Sequence, residues 1–191
     1  VAPDGSLQSE AASGALPLQV RSETARTLKQ LASTPAALAD AIAADTEDNT
    51  EYMACQAVSQ VQAGRSAASL LAALGARQNS DGGFGGAPGF ASNALDTAWT
   101  MLAFSAGAYA DGAARGRAAA YLVSQQDANG SFGVSPSQPS ANVSALAVMA
   151  LQTAGGDPMV QNALNQGAAW LRGQRDANGA RIAGPAGQWQ R

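Results

Sequence analysis

Gln78-Asn79-Ser80-Asp81-Gly82-Gly83-Phe84-Gly85 and Gln126-Asp127-Ala128-Asn129-Gly130-Ser131-Phe132-Gly133 are two versions of one segment, with Phe84 lying 48 residues ahead of Phe132. Self-similarity at such a period points to stacked supersecondary units, each of which buries its apolar face on the next. Carried on without a gap, the same shift pairs Ser92 with Ser140, Leu95 with Val143, Asp96 with Ser144, Ala98 with Leu146 and Met101 with Met149. A weaker third copy, Trp170-Leu171, Gln174 and Asp176-Ala177-Asn178-Gly179, echoes Tyr121-Leu122, Gln125 and Asp127-Ala128-Asn129-Gly130.

The segments around these loops have helical period. Leu95, Ala98, Trp99, Leu102 and Ala103 fall at i, i+3, i+4, i+7 and i+8, and Val143, Leu146, Ala147, Ala150 and Leu151 repeat that spacing. Ahead of each loop lies a second periodic run, Ala114, Ala118, Tyr121 and Leu122 in one repeat, Val160, Ala163, Leu164, Gly167, Ala168 and Leu171 in the next. The expected unit is therefore a helical hairpin and the fold class is all-α. Asp157 before Pro158 and Thr34 before Pro35 place a capping side chain ahead of a proline, and Asp111 and Ser66 are further caps. Leu28, Leu31, Leu38 and Ile42 predict two short helices split at Ser33-Thr34-Pro35, and a degraded inner helix is expected over 52–61. The reading divides the chain into a flexible N-terminal segment, 1–20, and a repeat domain, 21–191, with about three recognisable hairpins from about residue 50.

Composition narrows the chemistry. Charged residues make up 13% of the 191 residues and the net charge is −3, so no basic field exists to attract nucleic acid or an anionic membrane. No membrane span is expected, because apolar character is spread thinly as alanine. With no histidine and Cys55 as the one cysteine, imidazole-based catalysis and a zinc site of ordinary composition both fall away, and no metal or cofactor is expected. Cys55 has no neighbouring base in sequence and reads as a small buried filler. The opening residues, 1–19, lack the basic patch and apolar block of a signal peptide, so export would mean that a leader has already been removed.

At Arg117, Ala118, Tyr121, Leu122, Gln126, Gly130 and Phe132 the chain resembles the QW repeat of the squalene and hopene cyclases, shared in looser form by the prenyltransferases, with Phe where Trp is usual. The first copy keeps Gln78, Gly82 and Phe84, and the third keeps Trp170 and Leu171. The resemblance covers roughly residues 65 to 182 and implies part of an α/α toroid, in which each glutamine staples the end of one outer helix to the next repeat. Its members also imply a secreted or cell-surface location. A full toroid needs more hairpins than are recognisable here. Either the rest of a longer chain, the preferred reading, or a second chain would complete it.

The catalytic motifs of that superfamily are not found: no aspartate-rich acid motif, no zinc ligand set and no thioester block, so no catalytic residue is assigned. Asp96 stands alone and reads as a first-turn residue favoured by the helix dipole. The acidic run Asp45, Glu47, Asp48 and Glu51 reads as a solvated connection facing a helix N-terminus, with hard-cation binding as the competing reading. What the resemblance implies is a concave inner-helix face lined by Asn93, Asp96, Trp99, Asn142 and Ser144. Two functions follow: a non-enzymatic binding or scaffold module holding a small apolar ligand or another domain there, or a fragment of a terpenoid cyclase whose acid lies elsewhere.

Overall fold

The computed structural model describes residues 1–3, 17–31, 35–46, 48–135 and 137–175. Among the described residues there are eight helices: α1 Pro17–Leu31, α2 Ala36–Ala43, α3 Thr50–Gln62, α4 Ala68–Gly75, α5 Ala94–Ala106, α6 Gly112–Ser124, α7 Ala141–Gln152 and α8 Pro158–Gly173. Consecutive helices pair as hairpins. The odd-numbered helices pack on one another in the order α1, α3, α5, α7, and each even-numbered helix covers its own hairpin partner from behind. The result is a double row of helices in which the inner members run parallel. No β-ladder interrupts it among the described residues; an isolated bridge joins Phe84 to Asn93.

Side-chain caps fix where the helices begin. Asn49, Asn93, Asp111 and Ser140 each accept the amide N–H three residues on, and Asp157 accepts from Met159 and Val160 with Pro158 in the first turn. Such caps satisfy helix N–H groups that have no carbonyl partner. Ser66 accepts from the Ala68 N–H at 3.3 Å. Pro35 itself occupies the cap position of α2, and Thr34 lies outside the described residues. Of the N-terminal segment anticipated over 1–20, residues 4–16 also lie outside them, and α1 begins at Pro17.

Between the two rows the core is made of small residues and a few rings. Ala54, Ala57, Ala98, Ala103, Ala118, Ala147 and Ala150 are fully buried, as are Phe84, Phe104 and Phe132. Alanine contacts let helix axes come close, and the rings fill the wider gaps behind them. Phe84 meets Phe104 edge to face at 5.9 Å, and Phe104 stacks on Tyr109 at 4.2 Å. A satellite cluster of Leu18, Ala25, Leu38 and Ile42 holds the first hairpin, with Leu28 and Tyr52 packed against it.

The repeated loops are built alike. Gln78 Nε2 donates to the Gly82 carbonyl at 2.9 Å and to the Ala114 carbonyl inside α6 at 2.8 Å. Gln126 Nε2 donates to the Gly130 carbonyl at 3.0 Å and to the Ala163 carbonyl inside α8 at 2.8 Å. Each amide thus closes its own turn and ties it to the outer helix of the next hairpin. Gly82 and Gly130 have φ of 87° and 89°, and a Cβ on either would sit 2.8 or 2.7 Å from a backbone oxygen of that outer helix. Only glycine accepts both constraints. Tyr121 lies over Gly83, and its hydroxyl is pushed up to about 12, by burial first and by Asp81 second. Trp170 sits half-buried in α8, and the loop that would complete the third copy lies outside the described residues.

The structure corrects the gapless alignment past Phe132. Phe84 N–H donates to Thr97 Oγ1, and Phe132 N–H donates to Ser144 Oγ, both at 2.9 Å. Asn93 N–H bonds the Phe84 carbonyl as Ser140 N–H bonds that of Phe132. Ser144 therefore matches Thr97, and Ser140 matches Asn93, because the second loop is one residue shorter. Asp96 aligns with Val143. The first hairpin joins the row by different chemistry: Gln56 Nε2 donates to the Ile42 and Asp45 carbonyls, and Gln60 Nε2 to the Ala39 carbonyl, so glutamines of an inner helix hold the end of α2.

Candidate binding face at the inner-helix ends

Parallel inner helices bring their N-terminal turns together. The Gly86 carbonyl accepts the Thr50 N–H at 2.9 Å, so the loop behind Phe84 also anchors the start of α3. Glu51 in the first turn of α3 and Asp96 in the first turn of α5 are thereby neighbours. Asp96 is only 6% exposed; its Oδ2 accepts from Asn93 Nδ2 at 2.5 Å, and the backbone of Glu51 nearby also favours its charged form. Burial nevertheless raises its pKa, against both pulls. Glu51 is raised too, by burial first and then by the charge of Asp96.

Trp99 stands one turn further along α5, 7% exposed, and its Nε1 has no hydrogen-bond partner. The indole faces Glu51 and favours its charged form without completing a well-formed bond. Arg26 of α1 lies over the Trp99 ring at 5.1 Å and pairs with Glu23 at 2.8 Å. Since α3 lies between α1 and α5 in the row, this contact reaches across one helix. Cys55 is buried below them, and its thiol is driven well above the usual range by burial and then by Glu51, which leaves it unreactive.

Along α5 the stripe continues as Leu95, Trp99 and Leu102, at i, i+4 and i+7; in the corrected register α7 supplies Asn142, Leu146 and Met149. Leu95 and Leu102 are half-buried, Asn142 is exposed and Met149 is 46% exposed. Of the residues anticipated for this face, Asp96 and Trp99 come together with Asn93, which acts as the α5 cap. Asn142 lies on the adjacent helix. Ser144 is turned away, fully buried with its hydroxyl on Phe132, a direct result of the one-residue shift. Sequence reading missed Glu51 as a partner of Asp96, and Glu23 and Arg26 altogether.

The acidic run does not converge. Asp48 pairs with Arg77, Glu51 turns to Asp96, the Asp45 carbonyl accepts from Gln56, and Glu47 lies outside the described residues. Among the described residues no three Cys, Asp or Glu side chains stand together as a metal site would need, and no helix is long and apolar enough to cross a membrane.

No family model matches the chain, and no curated protein matches it by sequence. Among solved structures it is similar to ent-copalyl diphosphate synthase from Streptomyces platensis, with a TM-score of 0.55 and 18% identity over 87% of this chain. The matched region is 47% of that enzyme, so this chain spans about half of its length. At that identity the likeness speaks for architecture, and the chain has an all-helical, α/α-toroid-like fold of the terpenoid-cyclase kind.

Proposed function

We propose that this chain is a non-enzymatic binding or scaffold module, part of an α/α toroid whose concave inner-helix face receives an apolar ligand or another domain. The observation that carries the reading is Arg26 over Trp99. A cyclase stabilises carbocations on open aromatic faces, and here the aromatic of the face already carries a guanidinium, whose charge would repel a second cation. Asp96 adds to the case, because its carboxylate is engaged by the Asn93 amide. The staple geometry at Gln78 and Gln126 supports reading the loops as QW-type repeats. A secreted or cell-surface setting and completion of the ring by further hairpins, from a longer chain or a second one, belong to the same proposal.

The second reading, a fragment of a terpenoid cyclase, is favoured by the likeness to a diphosphate-forming cyclase over about half its length. Incubation with squalene or a prenyl diphosphate, followed by mass-spectrometric product analysis, separates the two. Unchanged substrate is expected; a cyclised product abolished by Asp96→Asn would replace the first reading with the second.

A further inference from the structure

We propose that the cleft between the start of α6 and the end of α7 binds a free short-chain aliphatic carboxylate, its head held by the Arg115 guanidinium and its chain laid on Met101 and Ala154. The cleft has a volume of about 130 Å³ and is lined by Met101, Gly112, Arg115, Gly116, Thr153 and Ala154. It shares no residue with the inner-helix face and stands apart from the reading above. The repeat explains why it is open. In the preceding seam the Leu71 side chain of α4 fills the place that a Cβ on Gly107, at the end of α5, would take. The shift that pairs Gln78 with Gln126 pairs Leu71 with Ala119, and the shift that pairs Asn93 with Ser140 pairs Gly107 with Ala154. An alanine thus stands at the later seam where a leucine packs the earlier one, and a large-to-small exchange of that kind leaves room.

Arg115 supplies the charge. Its Nη2 donates to the Thr153 carbonyl at 3.4 Å, which holds the half-buried guanidinium at the cleft wall. Its other side-chain N–H groups have no partner, and no carboxylate pairs with it, among the described residues. Asp111, the nearest acid in sequence, is engaged as the cap of α6. A guanidinium presents its donors as a planar fork that matches the two oxygens of a carboxylate, whereas an ammonium is repelled by it. Met101, which is 4% exposed, and the half-buried Ala154 give the chain an apolar floor. A cavity of about 150 Å³ accepts benzene, so this cleft has room for a whole acid of about four carbons. A Cβ on Gly112 or Gly116 would meet no atom within 4 Å, and the mouth is therefore unobstructed.

The test titrates the chain as it stands with butyrate, butyramide and acetate, read by amide chemical shifts. Butyrate should bind about ten-fold more tightly than butyramide, the worth of a charge-assisted pair, and about ten-fold more tightly than acetate, the worth of two partly buried methylenes. The shifts should centre on residues 112–116 and 153–154. Arg115→Met, which keeps an apolar stem and removes the fork, should bring butyrate to butyramide's affinity and leave butyramide unchanged. Should that variant fail to fold by circular dichroism, Arg115→Lys, which keeps the charge and loses the fork, should narrow butyrate's advantage. Equal binding of butyrate and butyramide, an advantage untouched by these variants, shifts centred elsewhere, or no binding at all overturns the inference. Binding of N-acetylglutamate α-amide as tight as that of butyrate also overturns a free acid, by moving the assignment to an acidic side chain of a partner.

Discussion

Replacing Gln126 by methionine keeps the length of the side chain and removes its amide. The Gly130 carbonyl in the turn, at 3.0 Å, then loses its donor, while the Ala163 carbonyl inside α8, at 2.8 Å, keeps its helical N–H partner and loses a second one. A buried polar group left unpaired costs about 1–3 kcal/mol, and only the half-buried turn carbonyl is left so, which sets the loss at about 1–3 kcal/mol. In a domain of this size each kcal/mol moves the melting midpoint by about 2–4 °C, which predicts a fall of about 3–8 °C by calorimetry. Gln78→Met should fall about as far, since its extra partner Arg117 bonds the amide oxygen at an exposed position and adds little. Hydrogen exchange should quicken first in the loop over 126–133 and in the first half of α8. A shift of less than about 1 °C in both variants would refute the reasoning, because it would mean that water satisfies those carbonyls as well as the amides do.

Two further outcomes follow from the loops and the acidic face. Gly130→Ala places a Cβ 2.7 Å from the Gln166 oxygen at a φ of 89°, so backbone must move, and thermal denaturation should show a loss of about 2 kcal/mol or more. Glu51→Gln should stabilise the protein progressively as pH rises. The folded pKa of Glu51 lies above its ordinary value of 4.5, so the stability linked to its protonated form is full below that value and is lost as pH rises through the folded one. The gap between variant and parent midpoints should therefore open from acid to neutral pH, and a gap independent of pH would contradict the burial of that carboxyl.

Much of this architecture is legible in the sequence, because helical period, proline-marked starts and paired glutamines each have a local cause. Gln78 and Gln126 announce equivalent turns, and Asp111 and Asp157 announce caps. What fails is register across a loop of variable length. Ser92 and Ser140 look like counterparts, yet the cap that matches Ser140 is Asn93, and a hydroxyl at either Thr97 or Ser144 serves the same phenylalanine amide. The first hairpin is hidden for another reason, since Gln56 and Gln60 act from within a helix and leave no glycine-marked turn to recognise. Nor can pattern alone foresee Arg26 reaching Trp99, a contact made across the intervening α3 by tertiary packing.

The two loop amides have a mechanical consequence. Each grips a turn on one side and a carbonyl inside the following outer helix on the other, so a tensile load drawn across the arc passes through them in series, as through rivets along a curved plate. Gln78 also accepts from the Arg117 guanidinium, whereas no cation backs Gln126 among the described residues. That contact is exposed and adds little, so the two seams are matched in what resists their parting.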